Sequence, residues 1–175
     1  MTITIAQFDA IPEAEAAFKL AACCGSSSWV SGMLARRPFA SRDQIFTVSE
    51  EVARTLRESD WLEAFAHHPR IGERKSNAVV STSAESWSTG EQSASATAST
   101  VVRAALADAN AKYEKRFGFI FIICASGRSA DEILAALRKR MDNEPGAEIL
   151  VAAREQQQIT CLRLEKLIPA GGANA

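Results

Sequence analysis

The chain holds two histidines, and they stand side by side as His67 and His68 in HHPRIGERK, residues 67–75. Imidazole is the side chain whose ordinary pKa lies near neutrality, so a histidine facing a ligand can move a proton at physiological pH. Arg70, Arg74 and Lys75 follow at once, cations able to hold a carboxylate beside that group. Glu91 and Gln92 form a second constellation. In the first turn of a helix a carboxylate is kept ionised by the backbone dipole, while the neighbouring amide both donates and accepts; such a pair can read an amide-like or urea-like ligand. Arg163 is a third candidate. Each group also has a plain structural reading, with His68 capping a helix C-terminus, Glu91 capping a helix start and Arg163 solvated.

The elements that must position these groups read as helices. Pro12 suits a first turn, and the Ala-rich PEAEAAFKLAACC runs from it until Gly25 supplies a stop. SSWVSGMLARR ends before Pro38, and Ser41 can cap a third helix whose Ile45, Val48, Val52 and Leu56 recur at helical spacing. DWLEAFAHH makes a fourth, stopped by Pro69. On that helix the two imidazoles diverge by roughly 100°, so His67 and His68 are not expected to share one role. Ser88 and Glu91 have capping-box spacing, and Ala94, Ala98, Val101, Ala105 and Ala109 form a small-residue stripe; together they predict one long helix reaching Gly118. FGFIFIICA, residues 117–125, is aromatic and β-branched, but the chain has no second run of this kind to pair with it. A second capping box, Ser129 with Glu132, opens EILAALRKRM, and an amphipathic stretch from about Glu148 to Leu167 closes the chain. The expected fold is therefore all-α, a single-domain bundle of about seven or more helices over residues 1–168. It has at most one short extended segment near 119–125, and residues 169–175 are expected to be a disordered tail.

Bulk properties narrow the function. With 47% hydrophobic residues in 175, the chain can bury one sizeable core. Twenty basic residues against 21 acidic ones leave a net charge of -1, so no global field favours a polyanion or an anionic membrane. The short basic run and 7% aromatic content argue against nucleic acid. The absence of a long apolar run or a signal-like N-terminus predicts a cytoplasmic protein. Cys23 and Cys24 are adjacent, far from Cys124 and Cys161, so thiols are expected rather than disulfides or a metal site. A metal-dependent hydrolase using His67, His68 and Glu73 is disfavoured because adjacent ligands diverge on a helix. Neither GxSxG nor a phosphate-cradling glycine pattern occurs. The other alternative is a non-catalytic helical binding module.

Six ordered blocks then resemble one family. DWLEAF precedes HHPRIG, followed by SxxEQ and FGFIFIICA, with CCGSSSW upstream and a late IxxxRL. This order, from about Phe8 to Leu164, is similar to that of the 2-oxo-4-hydroxy-4-carboxy-5-ureidoimidazoline (OHCU) decarboxylase family of uric acid breakdown. The resemblance implies an all-α, cofactor-free and metal-free homodimeric enzyme that converts OHCU to S-allantoin. It implies His68 and Glu91 as catalytic groups. It further implies substrate contacts from Pro69, Ser88, Gln92 and Arg163 and from the main chain of Phe121, Ile122, Ile123, Cys124 and Ala125. Two positions depart from the family pattern: Ser28 stands where many relatives carry a basic residue, and Ser93 where a small apolar one is usual.

Overall fold

Short hydroxyl side chains start most of the helices. The computed structural model describes residues 3–71, 87, 91 and 99–170. Among these, eight helices have complete bounds and no strand occurs, so the fold is all-α. By their internal contacts the residues fall into two units: unit 1 comprises Met1–Ala64 with Gln157–Ala175, and unit 2 comprises Phe65–Gln156.

Unit 1 begins with α1 (Ile5–Ala10), a helix not foreseen in the sequence. Thr4 and Gln7 form a capping box there, each side chain taking the other's backbone amide. Helix α2 (Glu13–Cys23) has Pro12 as N-cap rather than inside its first turn, and it ends at an extended Cys24, before Gly25. Helix α3 (Ser27–Leu34) is capped by Ser26, and α4 (Arg42–Ala53) by Ser41, whose side chain accepts from the Gln44 amide as expected. Phe8, Leu20, Trp29, Met33, Ile45 and Leu164 are fully buried in this unit. Helices α3 and α4 approach closely at Gly32, where an added Cβ would meet Val52 Cγ1 at 2.6 Å.

Helix α5 (Glu58–Ala66) starts earlier and stops sooner than DWLEAFAHH implied. Its last helical residue is Ala66, so both histidines lie beyond it and the angular argument that separated them does not apply. The reason is Pro69, which disfavours helical backbone at the residue before it.

In unit 2 the long helix expected from Ser88 to Gly118 is broken. Ser99 is non-helical at φ -58°, ψ 155°, and its hydroxyl accepts from the Val102 amide, so it starts α6 (Thr100–Phe117) afresh. Ser88 and the first half of the alanine stripe lie outside the described residues. Val101, placed on that stripe, is 78% exposed; the buried row is Leu106, Asn110 and Tyr113. Gly118 ends α6 in the left-handed region at φ 79°. Helix α7 (Ala130–Arg140) has the predicted Ser129–Glu132 capping box, with both reciprocal bonds formed. Hydrogen bonding to Ser129 holds the exposed Glu132 carboxyl below its usual range. Helix α8 (Pro145–Leu167) begins with proline, which needs no amide partner there. The tail beyond residue 170 lies outside the described residues.

The core of unit 2 surrounds Tyr113, whose ring meets Phe117, Phe119 and Phe121 at centroid distances of 4.6, 5.7 and 5.1 Å. Ile123, Ala125, Ile133, Leu134 and Leu137 complete the cluster. FGFIFIICA therefore forms no sheet; its C-terminal half is a buried connector between α6 and α7.

Candidate active site

A connector buried away from water must find partners for its amides and carbonyls, and without a neighbouring strand they must come from side chains or turns. In Phe121–Ala125, which is at most 9% exposed throughout, three are visible. Arg140 of α7 donates through Nη1 to the Ile122 carbonyl at 2.8 Å. The Cys124 amide donates to Glu155 Oε2 of α8 at 2.8 Å. The Ala125 carbonyl accepts from the Arg128 amide at 3.1 Å, closing the turn before α7.

Arg140 is 8% exposed and would be costly to bury without compensation. Its Nε donates to Glu148 Oε1 at 2.7 Å, and Glu148 is fully buried. Tyr113 donates its hydroxyl to the same carboxylate, while Asn143 Nδ2 donates to Oε2 at 2.6 Å. Burial and the Glu148 carboxylate together push the Tyr113 phenol far above its usual range, so it stays a donor. The Arg140 guanidinium also lies 4.5 Å from the centre of the Phe121 ring.

His68 is half-buried just after α5, its amide donating to the Phe65 carbonyl at 3.0 Å; His67 is exposed. Helix α6 secures the segment that follows. Asn110 Nδ2 donates to the Ile71 carbonyl at 3.1 Å from a buried position. Arg70 forms a bidentate pair with Glu114, at 2.9 Å from Nε and 2.8 Å from Nη2. Arg70 is thus bound to a carboxylate of its own chain, contrary to its reading as a cation for a substrate carboxylate; Arg74 and Lys75 lie outside the described residues. Pro69 is half-buried between these anchors.

Glu91 is helical and half-buried, and Trp87 before it is helical too, so helical backbone is already present ahead of Ser88, the residue expected to cap this helix; Ser88 and Gln92 lie outside the described residues. The structure brings Glu91 to the connector. Burial is the main cause that raises the Cys124 thiol above its usual range, and the negative charges of Glu155 and Glu91 add to it. Two carboxylates therefore act on one residue of the segment expected to meet substrate. Arg163 belongs to unit 1 and is 5% exposed, not solvated. Its Nη1 donates to the Ala22 carbonyl at 3.2 Å, at the C-terminal end of α2 where a cation is favoured. Ser28, the first departure, donates its hydroxyl to Asp60 at 2.8 Å.

Sequence reading missed Asn110, Arg140, Glu148 and Glu155. One signal was available for Arg140: with Ile133 and Leu137 it completes the i, i+4, i+7 row of the apolar face of α7, an odd place for a charge. Glu155 carried no such mark.

The connector is held by side chains of two helices, and the helix-borne Glu91 carboxylate acts on its Cys124 thiol. A main-chain segment fixed in this way beside a carboxylate can bind a small polar molecule. Among the described residues no group of His, Cys, Asp and Glu could hold a metal ion, and no helix is long and apolar enough to cross a membrane.

The sequence profile described as OHCU decarboxylase matches residues 9–165. A uric acid degradation bifunctional protein of Arabidopsis thaliana is 43% identical over 145 residues, covering 83% of this chain and 45% of the relative. An OHCU decarboxylase of Haloferax volcanii is 27% identical over 139 residues, covering 79% of this chain and 80% of that one. A crystal structure of OHCU decarboxylase in the presence of (S)-allantoin superposes with a TM-score of 0.73 at 36% identity, covering 85% of this chain and 96% of that one. The chain spans less than half the length of the Arabidopsis relative, and 34% of an Amia calva OHCU decarboxylase that it matches at 46% identity over 59 residues.

Proposed function

Because the chain belongs to the OHCU decarboxylase family, we propose that it decarboxylates OHCU to S-allantoin, with His68 as the acid/base group. The observation that carries this reading is the extent of the match: residues 9–165 take in His68, Glu91, the Phe121–Ala125 connector and Arg163 together.

The substrate supplies its own electron sink. When the C–C bond to the carboxylate breaks, CO2 leaves and the electron pair passes into the adjacent C=N bond. The imine nitrogen takes up a proton as the pair arrives; the ring hydroxyl then gives up its proton and becomes a carbonyl while the former imine carbon gains a proton, so that over the whole reaction one proton is taken up. His68 hydrogen-bonds that hydroxyl and accepts its proton. Glu91, borne on helical backbone, orients the ring and exchanges protons with its nitrogens. The buried connector keeps water from the leaving carboxylate and offers main-chain donors and acceptors to the planar ring. Delivery of the proton to one face fixes the hand of the product. In the same reading the enzyme works in the cytosol as a homodimer and needs no cofactor.

The test follows circular dichroism of freshly oxidised urate after the preceding hydrolysis step. Wild-type protein should generate the S-allantoin signal rapidly. His68→Ala should keep the helical far-ultraviolet spectrum yet lose about 10²- to 10⁴-fold in stereospecific rate, the usual contribution of general acid/base catalysis. An undiminished rate in His68→Ala would reject the assignment.

A further inference from the structure

Ile122 and Cys124 are each tied to a side chain of a following helix, but the two ties differ in kind. Arg140, which takes the Ile122 carbonyl, is locked to the fully buried Glu148 and is part of the core itself. Glu155, which takes the Cys124 amide, has a side chain 16% exposed, so it can be altered without opening the core. Arg128 Nη2 stands 3.6 Å from its other oxygen, Oε1.

By accepting from the Cys124 amide at 2.8 Å, the Glu155 side chain restrains the main chain that it holds. What it stiffens is Cys124, the residue whose thiol also lies in the field of Glu91. The backbone position of Cys124 therefore sets how the connector faces the carboxylate expected to handle substrate.

We propose that Glu155 is a positioning residue for the reaction: by taking the Cys124 amide it fixes the ligand-facing main chain of Phe121–Ala125 in one orientation. This rests on the reading that the connector meets the substrate ring. Glu155 touches no reacting atom; it acts through the connector, and a displacement of about 1 Å there costs on the order of 10²-fold in rate.

The experiment compares Glu155→Ala, Glu155→Gln and Glu155→Asp by far-ultraviolet circular dichroism, amide hydrogen exchange at Cys124, steady-state kinetics and enantiomeric excess of the allantoin formed. Glu155→Ala should fold normally, exchange the Cys124 amide at least about tenfold faster and lose roughly 10- to 100-fold in kcat. Its product should also lose enantiomeric excess, because a loosened ring presents both faces to the proton. Glu155→Gln, which still accepts from the amide, should recover kcat to within about threefold of wild type and restore the enantiomeric excess. Glu155→Asp, one methylene short, should behave like alanine and gives the same comparison should the alanine variant not fold.

Faster Cys124 exchange with wild-type kcat and enantiomeric excess would make the contact purely structural and overturn the proposal. A glutamine variant as impaired as alanine would overturn it too, since the charge rather than the bond would then matter. If wild-type protein makes no allantoin, the functional reading fails instead; unchanged Cys124 exchange in Glu155→Ala then independently refutes the clamp.

Discussion

Cys24 is 1% exposed, and burial pushes its thiol up to about 11 from an ordinary 9.0, against smaller opposing effects of Ser26, Thr160 and Arg163. The unfolded thiol ionises near 9.0 and the folded one near 11. Between those pH values the unfolded chain has lost a proton that the folded chain keeps, so stability is full below the lower value and falls as pH rises towards the upper. The loss amounts to about 2 to 3 kcal/mol. Urea unfolding between pH 8 and 11 should therefore give a steeper decline for wild type than for Cys24→Ala; parallel curves would show that burial does not hold this proton. At the same scale, the sequence singles out candidates rather than a site: His68 because the chain has so few imidazoles and a proline follows, and Glu91 because of its spacing from Ser88. Arg70 misled, because a guanidinium beside a histidine looks available until α6 supplies Glu114 at a sequence separation of 44 residues. Glu155 was illegible for the same reason: its partner is a backbone amide 31 residues away, which no side-chain pattern marks.

Helix boundaries were legible wherever a local bond fixes them. The Ser41 cap and the Ser129–Glu132 box are closed within four residues, and both stand where the sequence placed them. The start of α6 was not, because Ser, Thr and Ala can either continue a helix or cap a new one, and only the geometry at Ser99 decides between them. Of the small-residue stripe, Ala105 and Ala109 pack partly buried against the core while Val101 is exposed, and Ala94 and Ala98 lie outside the described residues. Alanines fit any helix face, whereas the heavier Leu106 and Tyr113 determine which face is buried. At the other end of α6, Gly118 adopts φ 79° and a Cβ there would meet nothing within 4 Å. Gly118→Ala should thus cost only the left-handed conformation, roughly 1 kcal/mol. A drop in urea midpoint of that size, with the far-ultraviolet spectrum unchanged, is the expected result; a gain in stability would mean that the cap relaxes to another conformation.

At the scale of the whole molecule, the all-α class was readable because helical punctuation recurs along the chain and a lone apolar run offers nothing to pair with. How that run is accommodated was not readable, since its partners are single side chains on two later helices. A ligand that binds the folded protein should stabilise it by mass action: (S)-allantoin at about one hundred times its Kd should add roughly 2.7 kcal/mol to the unfolding free energy, measurable as a rise in Tm. No rise in Tm under saturating (S)-allantoin would count against the proposed product. The connector has a further consequence for biogenesis. A polypeptide leaves the ribosome N-terminus first, so Ile122 emerges 18 residues ahead of Arg140, and Cys124 31 residues ahead of Glu155. During that interval an apolar run with unsatisfied amides and carbonyls is on display, a natural target for a nascent-chain chaperone. The tethering of the connector is therefore finished late in translation, when Glu155 of α8 has been made.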